Sequence, residues 1–336
     1  MSYQIEKLKN IALIKTGKLD SNAAVTDGVY PFFTCDPITL KIDEWAYDTE
    51  AVLLAGNNAS GNYTAKYYKG KFNAYQRTYI IESANISLLS VRFLAFAITQ
   101  QLRLLKAMST GSTTKFLTIK MLNDLEIPCP EISVQQKIAS IIGSYDNLIE
   151  NNQKQIKLLE EAAQRIYKEW FVDLRFPGHE NIEILDGIPL GWYEDTIDTK
   201  VNLLNGFAFK SKDLEETGLF KLVTIKNVQD GYFESKNVKY LSKIPDKMPK
   251  HCYLDEGDLL LSLTGNVGRV CIVEGNDFLL NQRVAKISSE TPAYTYCLFR
   301  SNELFIKINN IANGAAQQNV SPIRIGQIKH LFQMTN

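Results

Sequence analysis

From Glu131 to Phe171 the chain reads EISVQQKIASIIGSYDNLIENNQKQIKLLEEAAQRIYKEWF, with no proline and a single glycine, Gly143. Counted from Val134, the positions Ile138, Ile141, Tyr145, Leu148, Asn152, Gln155, Leu159, Ala162 and Ile166 alternate by four and three. That is the spacing of a coiled-coil seam, apolar except at Asn152 and Gln155. Ser133 with Gln136 three residues later, just after Pro130, predicts a capping-box start, and Pro177-Gly178 predicts the stop. About 40 residues at 1.5 Å each make a rod roughly 60 Å long. Ordinary domain helices average about 11–12 residues, and polar seam residues suit a paired helix, where they set the register. The pattern therefore predicts a rod rather than a core helix.

The flanks have a different texture. Short β-type runs (AVLLAG, TYIIES, FKLVTI, DLLLSLTG, RVCIV) are separated by Gly, Asn, Asp and Pro turn residues. Each flank closes with a helical stretch, SLLSVRFLAFAITQQLRLLKAM in one and YTYCLFRSNELFIKINNIA in the other. Both flanks read as α+β. They also match each other. AGNNASG at 55–61 is answered by LTGNVGR at 263–269, and Gln76-Arg77 by Gln282-Arg283. The stretch from Gly111 is answered by that from Gly314, and Ile14-Lys15-Thr16-Gly17 by Leu203-Leu204-Asn205-Gly206. Four matches in the same order make a tandem duplication, with the rod after the first copy. The expected division is a first domain at 1–130, the long helix at 131–173, a linker at 174–192 and a second domain at 193–336.

Composition narrows the class. With 336 residues, 45% of them hydrophobic and 22% charged, the chain can bury more than one core. No stretch approaches the roughly 18 apolar residues of a membrane span, and the N-terminus has no apolar signal region. The expectation is a cytoplasmic protein with no membrane association. Five dispersed cysteines argue for reduced thiols rather than a disulfide frame or a zinc site. Lys+Arg and Asp+Glu both total 37. A zero balance does not itself point to nucleic acid, so any basic surface must be a local groove.

The run from Ile127 to Gly178, IPCPEISVQQKIASIIGSYDNLIENNQKQIKLLEEAAQRIYKEWFVDLRFPG, is similar to the central conserved region of type I restriction–modification DNA specificity subunits. The second copy's GDLLLSLTGNVGRVCIVEGNDFLLNQRVAKI resembles the core of a target-recognition domain. The resemblance implies an α+β chain of two similar target-recognition domains joined by a long coiled-coil-forming helix. Each domain would grip one half of a bipartite site on double-stranded DNA, with the helix as a ruler. Methylation subunits would dock on the helix, and restriction/translocase subunits would join them. The family carries a second helical region after the second recognition domain. Here the sequence reaches HLFQMTN where the first copy continues into PEISVQQKIAS. The rod is then expected to expose an apolar seam that another helix covers, such as one from a second specificity chain. Ile138, Ile141, Tyr145, Leu148, Leu159 and Ile166 are the candidate partner-binding residues.

The candidate DNA contacts come in matched pairs. Asn57 and Asn58 in the first copy, with Asn266 and Arg269 in the second, sit in Gly-Asn turns after apolar strands. Such turns serve ordinary chain reversal, because Gly and Asn tolerate positive φ. They also bring amides toward bases, since Asn and Gln pair with adenine and Arg with guanine. Gln76, Arg77, Gln282 and Arg283 recur at matching places, where a structural salt bridge would explain the arginines equally well. Thr113, Thr114 and Lys115 answer Gln317 and Gln318 in loops that suit phosphate and base contacts or plain flexible linkage. Tyr67-Tyr68-Lys69 and Lys71 form either an exposed strand edge or a DNA contact. The chain has no Pro-Pro, hence no amino-methyltransferase motif, and no P-loop. Three isolated histidines form no metal or acid–base set. No catalytic residue, cofactor or metal is expected. A protein-interaction adaptor on a coiled coil, a truncated or regulatory specificity subunit, and an enzyme with an unrecognised site remain as alternative readings.

Overall fold

A computed structural model describes residues 3–59, 61–109, 115–236, 238–314 and 318–334. In the first copy, β1 (Gln4–Lys7), α1 (Leu8–Ile11) and β2 (Ala12–Thr16) lead into β3 (Tyr30–Phe33), β4 (Leu40–Ile42) and β5 (Tyr47–Ala55). Strands β6 (Asn57–Asn58), β7 (Ala65–Ala74) and β8 (Thr78–Ser83) follow, then helices α2 (Val91–Gln100) and α3 (Leu102–Met108). The copy ends with β9 (Lys115–Phe116), α4 (Ile119–Asn123) and β10 (Glu126–Cys129). Its main sheet has the order β2-β8-β5-β7-β3-β4, antiparallel except where β3 meets β7. Strand β5 reads as an unbroken apolar run because both faces of the sheet are covered. Val52, Leu54 and Ile81 pack with Leu94 and Ile98 of α2, while Ala51, Leu53 and Ile80 pack with Phe33 and Phe72.

The heptad stretch forms α5 (Ile132–Tyr167), 36 residues long, ending in one π-type turn at Lys168–Val172. It starts earlier than the capping box predicts. The Glu131 carbonyl accepts from the Val134 and Gln135 amides, which leaves Ser133 inside the first turn. Gln135 is fully buried, and its amide decides the start. Its oxygen accepts from Ser90 N (3.0 Å), and its nitrogen donates to the Leu88 and Pro130 carbonyls (2.9 and 2.8 Å).

The second copy follows through β11 (Ile184–Leu185), β12 (Ile188–Pro189), β13 (Trp192–Thr196), β14 (Val201–Asn205), β15 (Phe220–Val223) and β16 (Lys239–Leu241). Next come β17 (Tyr253–Leu254), β18 (Leu259–Ser262), β19 (Val270–Ile272), β20 (Phe278–Leu280) and β21 (Val284–Ser289). Helices α6 (Pro292–Phe299), α7 (Asn302–Ile311) and α8 (Pro322–Gly326) precede β22 (Lys329–Gln333). Two four-stranded sheets form, β14-β21-β18-β19 and β16-β15-β20-β17, and β13 pairs with β22 as β1 pairs with β10. The closing helical stretch predicted for each copy is two helices. The chain breaks at Gln101, whose amide reaches Glu126 O, and at Ser301, whose side chain caps α7.

The duplication is visible bond by bond. Gly17 N donates to Thr78 O (3.1 Å), as Gly206 N does to Val284 O (3.2 Å). Leu8 N donates to Leu125 O, as Ile197 N does to Ile328 O. A Cβ on Gly17 would stand 2.1 Å from Ala74 O, and one on Gly206 the same distance from Asn281 O. Only glycine allows the backbones to approach so closely at either place. The chain forms two compact units, Met1–Gln153 and Lys154–Asn336, and each takes in one part of α5.

Candidate nucleic-acid interface

In the first unit three segments distant in sequence meet at one corner of the sheet. The turn between β7 and β8 carries Gln76 and Arg77, whose side chains are exposed while their backbone is tied down. Gln76 N donates to Leu19 O (2.9 Å), Thr78 N to Tyr75 O (2.8 Å), and Arg77 O accepts from Gly56 N (2.8 Å). Just past Gly56, Asn57 and Asn58 pair with Phe116 and Lys115, and Leu117 N donates to Gly56 O (2.8 Å). Asn57, Asn58 and Lys115 are half-buried. The Asn58 side-chain oxygen accepts from the Asn62 amide. Thr16, Gly56, Gln76, Arg77, Tyr79, Phe116 and Leu117 line a cleft of about 280 Å³ at this corner. Thr113 and Thr114 lie outside the described residues.

The second unit repeats the construction. Gln282 N donates to Phe207 O (3.0 Å), Val284 N to Asn281 O (2.9 Å), and Arg283 O accepts from Leu263 N (3.0 Å). Val320 N donates to Leu263 O (3.0 Å), and Gly265 N to Gln318 O (2.9 Å). Gln282, Arg283, Asn266 and Gln318 are exposed. Gln317 lies outside the described residues. Arg269 is committed within the unit. Its Nη1 donates to Gln229 Oε1 at 2.7 Å, and with the Asn266 amide turned to satisfy both groups, Asn266 Oδ1 accepts from the same guanidinium at 3.2–3.3 Å. These bonds hold the β18–β19 turn, so Arg269 shapes the corner more directly than it offers a donor to a base.

The Tyr67-Tyr68-Lys69 and Lys71 cluster lies on the part of β7 that pairs with β5, while β3 pairs with β7 only at Asn73 and Ala74, so this stretch is an edge on that side. Tyr67 donates to Glu50 at 2.9 Å, and burial, aided by this bond, pushes the phenol up to about 12. Lys69 pairs with Glu50 at 3.6 Å, and Lys71 lies over the Trp45 ring. The charges of this cluster are answered by its own neighbours. Among the described residues no group of His, Cys, Asp and Glu could hold a metal ion. Burial raises the thiols of Cys129, Cys252 and Cys297, and that of Cys271 to about 12, which leaves them poor nucleophiles.

On α5 the seam residues divide. Ile141, Tyr145, Leu148, Leu159 and Ile166 are each more than half exposed. Ile138 does not join them. It packs against the first unit's core beside buried Ala139, because the first turns of α5 lie on α2 and β10. Farther along, Arg92 of α2 donates to Gly143 O (3.2 Å). In the second unit Glu160 accepts from Tyr296 (2.7 Å) and pairs with the half-buried Arg300 (2.8 Å), and Tyr167 is buried in that unit's core. Tyr79 and Phe116 at the first corner were not among the sequence candidates. The repeat offsets alone could have pointed to them, because they bring Phe116 opposite Asn319.

The family model for type I restriction modification DNA specificity domains matches residues 2–161. The EcoDI specificity subunit of Escherichia coli is 35% identical over 165 residues, 49% of this chain and 36% of that protein. The MjaIX specificity subunit of Methanocaldococcus jannaschii is 30% identical over 208 residues, 58% of this chain and 48% of that protein. Over residues 2–161 this chain is similar to the type I specificity subunits. It matches less than half the length of these two relatives. The S subunit of a type I restriction–modification system from M. genitalium shares the fold, with a TM-score of 0.65 over 99% of this chain and 85% of that one, at 16% identity. The shared fold is α+β, with two domains joined by one long helix.

Proposed function

We propose that this chain is a DNA sequence-specificity subunit of a type I restriction–modification complex, with residues 1–130 and 193–336 as its two target-recognition domains. Residues 131–173 act as the spacer ruler between them, and 174–192 as a linker. Each domain reads one half of a bipartite target in double-stranded DNA. The observation that carries this reading is the repeated corner. In both domains a rigidly anchored turn exposes a Gln-Arg pair beside a loop bearing Asn, so donors for guanine and adenine stand on a fixed backbone. Rigid presentation favours base discrimination, because little side-chain ordering remains to be done on binding.

Methyl transfer, translocation and cleavage belong to partner subunits in this proposal, and the chain works in the cytoplasm without catalytic groups or cofactor of its own. Methylation subunits dock on α5, and restriction/translocase subunits join through them. Ile141, Tyr145, Leu148, Leu159 and Ile166 present an apolar stripe that a second helix covers, from a second specificity chain or a distal helical region. The test is methylome sequencing of cells that express the chain with its methylation subunits, with and without added distal helix. A new motif of two short half-sites around a fixed spacer is the expected outcome. Tight binding that is insensitive to DNA and to salt would instead favour a protein-interaction adaptor.

A further inference from the structure

At the Gln-Arg corner the two domains match in backbone while several side chains differ, and three of these differences bear on one another. Gly56 and Leu263 donate to the same arginine carbonyl, and Leu117 and Val320 donate back to them. Thr16 pairs with Tyr79 as Asn205 pairs with Ala285. Gly56, Tyr79 and Phe116 in the first domain thus answer Leu263, Ala285 and Asn319 in the second. The exchange is complementary in size. A Cβ on Gly56 would lie 2.3 Å from Arg77 O and 2.9 Å from the Tyr79 ring, so glycine admits both the close backbone and the ring, whereas buried Leu263 accompanies the small Ala285.

Phe116 is 40% exposed on a two-residue strand. Its neighbour Leu117 is held from both sides, donating to Gly56 O and accepting from the Tyr79 hydroxyl at 2.9 Å. Asn319, in the same place, accepts at its side-chain oxygen from Thr264 Oγ1 at 2.8 Å. The fold therefore accepts an amide here and does not require a ring. What the first domain has instead is a rigid apolar ring at the rim of a cleft that also holds Gln76 and Arg77.

We infer that Phe116 is a specificity-determining residue of the first domain and that it reads the C5-methyl group of a thymine beside the bases contacted by Gln76 and Arg77. The inference rests on the DNA-reading function proposed above. A phenyl ring offers no hydrogen bond, and the thymine methyl is the apolar feature that the major groove displays. Only the half-site read by the first domain carries this contact, because Asn319 occupies the place in the second.

The test compares Phe116→Asn, which installs the second domain's residue, with the unaltered chain, both expressed with the methylation subunits. The expected methylome keeps the second half-site and the spacer and loses preference at one thymine of the first half-site. A synthetic target with uracil at that thymine then binds the unaltered complex about fourfold more weakly, the worth of one buried methyl group, and binds the Phe116→Asn complex no differently. An unchanged motif, or equal binding of thymine and uracil targets, overturns the role of Phe116 and leaves DNA reading intact. Absence of any motif from the unaltered chain, with all subunits and a distal helix supplied, overturns the DNA-reading function itself. Phe116→Leu separates shape from apolar contact, since it should retain most of the thymine preference.

Discussion

The two domains share the backbone bonds that tie the arginine carbonyl to Gly56 or Leu263 and these in turn to Leu117 or Val320, and diverge toward the far end of the same strands. In the first, β5 and β7 pair without interruption from Tyr47–Phe72 to Leu54–Ala65. In the second, turns at Asp255–Asp258 and Glu274–Asp277 divide the equivalent pair into β17–β20 and β18–β19, and one sheet becomes two. Gly257, Gly275 and Asp277 adopt positive φ in these turns. Beside the break, Lys286 and Asp258 form an ion pair at 2.6 Å, both side chains largely buried, where the first domain has Ile80 and Ala51. Asp258 also accepts from the Asp255 amide (2.9 Å), which closes the turn. Likewise β10 places fully buried Ile127 where β22 places His330. The lesson is that a repeated scaffold needs few fixed points. Where backbone meets backbone the copies agree, and where side chains meet they drift.

The shared points should be the hardest to alter. Gly17→Ala and Gly206→Ala each force a Cβ into a carbonyl at 2.1 Å, and each should cost its own domain about 3 kcal/mol or more. Equal losses in urea denaturation would confirm the equivalence, and a tolerated alanine at either site would break it. The divergent points should be exchangeable. Lys286→Met leaves Asp258 buried without its partner and should cost roughly 2–3 kcal/mol. Adding Asp258→Ala, which approaches the first domain's pattern, should restore most of that loss in thermal melts.

Acid should separate the domains. Burial depresses His330 from 6.5 to about 4, and its Nε2 faces the Tyr294 hydroxyl at 3.0 Å. Below pH 6.5 the unfolded chain takes up a proton that the folded domain refuses, so stability falls as the pH drops toward 4. The loss should reach about 2 kcal/mol between pH 7 and pH 5. His330→Ile should remove that slope from the second domain and leave the first unchanged, as followed by urea denaturation at several pH values. The smallest effect on folding is expected on the α5 stripe. Leu148→Asp should change stability by less than about 0.5 kcal/mol yet abolish co-purification with the partner subunits. A variant that still co-purifies would count against the stripe as an assembly surface. Ile138→Asp would damage the first domain's core, so loss of assembly there would say nothing of the seam.

The long helix and the duplication were legible in the sequence, because heptad spacing and repeated Gly-Asn and Gln-Arg dipeptides are local signals. The strands AVLLAG and TYIIES were legible for the same reason, as apolar runs between turn residues. Less legible were the interruptions. Gln101 and Ser301 break the closing helices through contacts with distant backbone or a cap, and Gln135 begins α5 by burying an amide among carbonyls from other segments. The candidate DNA residues were found as dipeptides. Their grouping was not, since Arg77, Asn57 and Lys115 meet only through strand pairing.

What this sequence determined by itself was the architecture: two α+β domains of one ancestry and a helix too long and too regularly striped to serve one core. Periodicity and internal repetition are written along the chain, and they need no neighbour to be read. Tertiary structure alone decided which polar residues face outward together. It turned Arg269 inward to Gln229, withdrew Ile138 from the seam into the first core, and set Phe116 at the rim of the cleft. Such outcomes depend on which backbone groups find partners across the fold, and those partners lie tens of residues away.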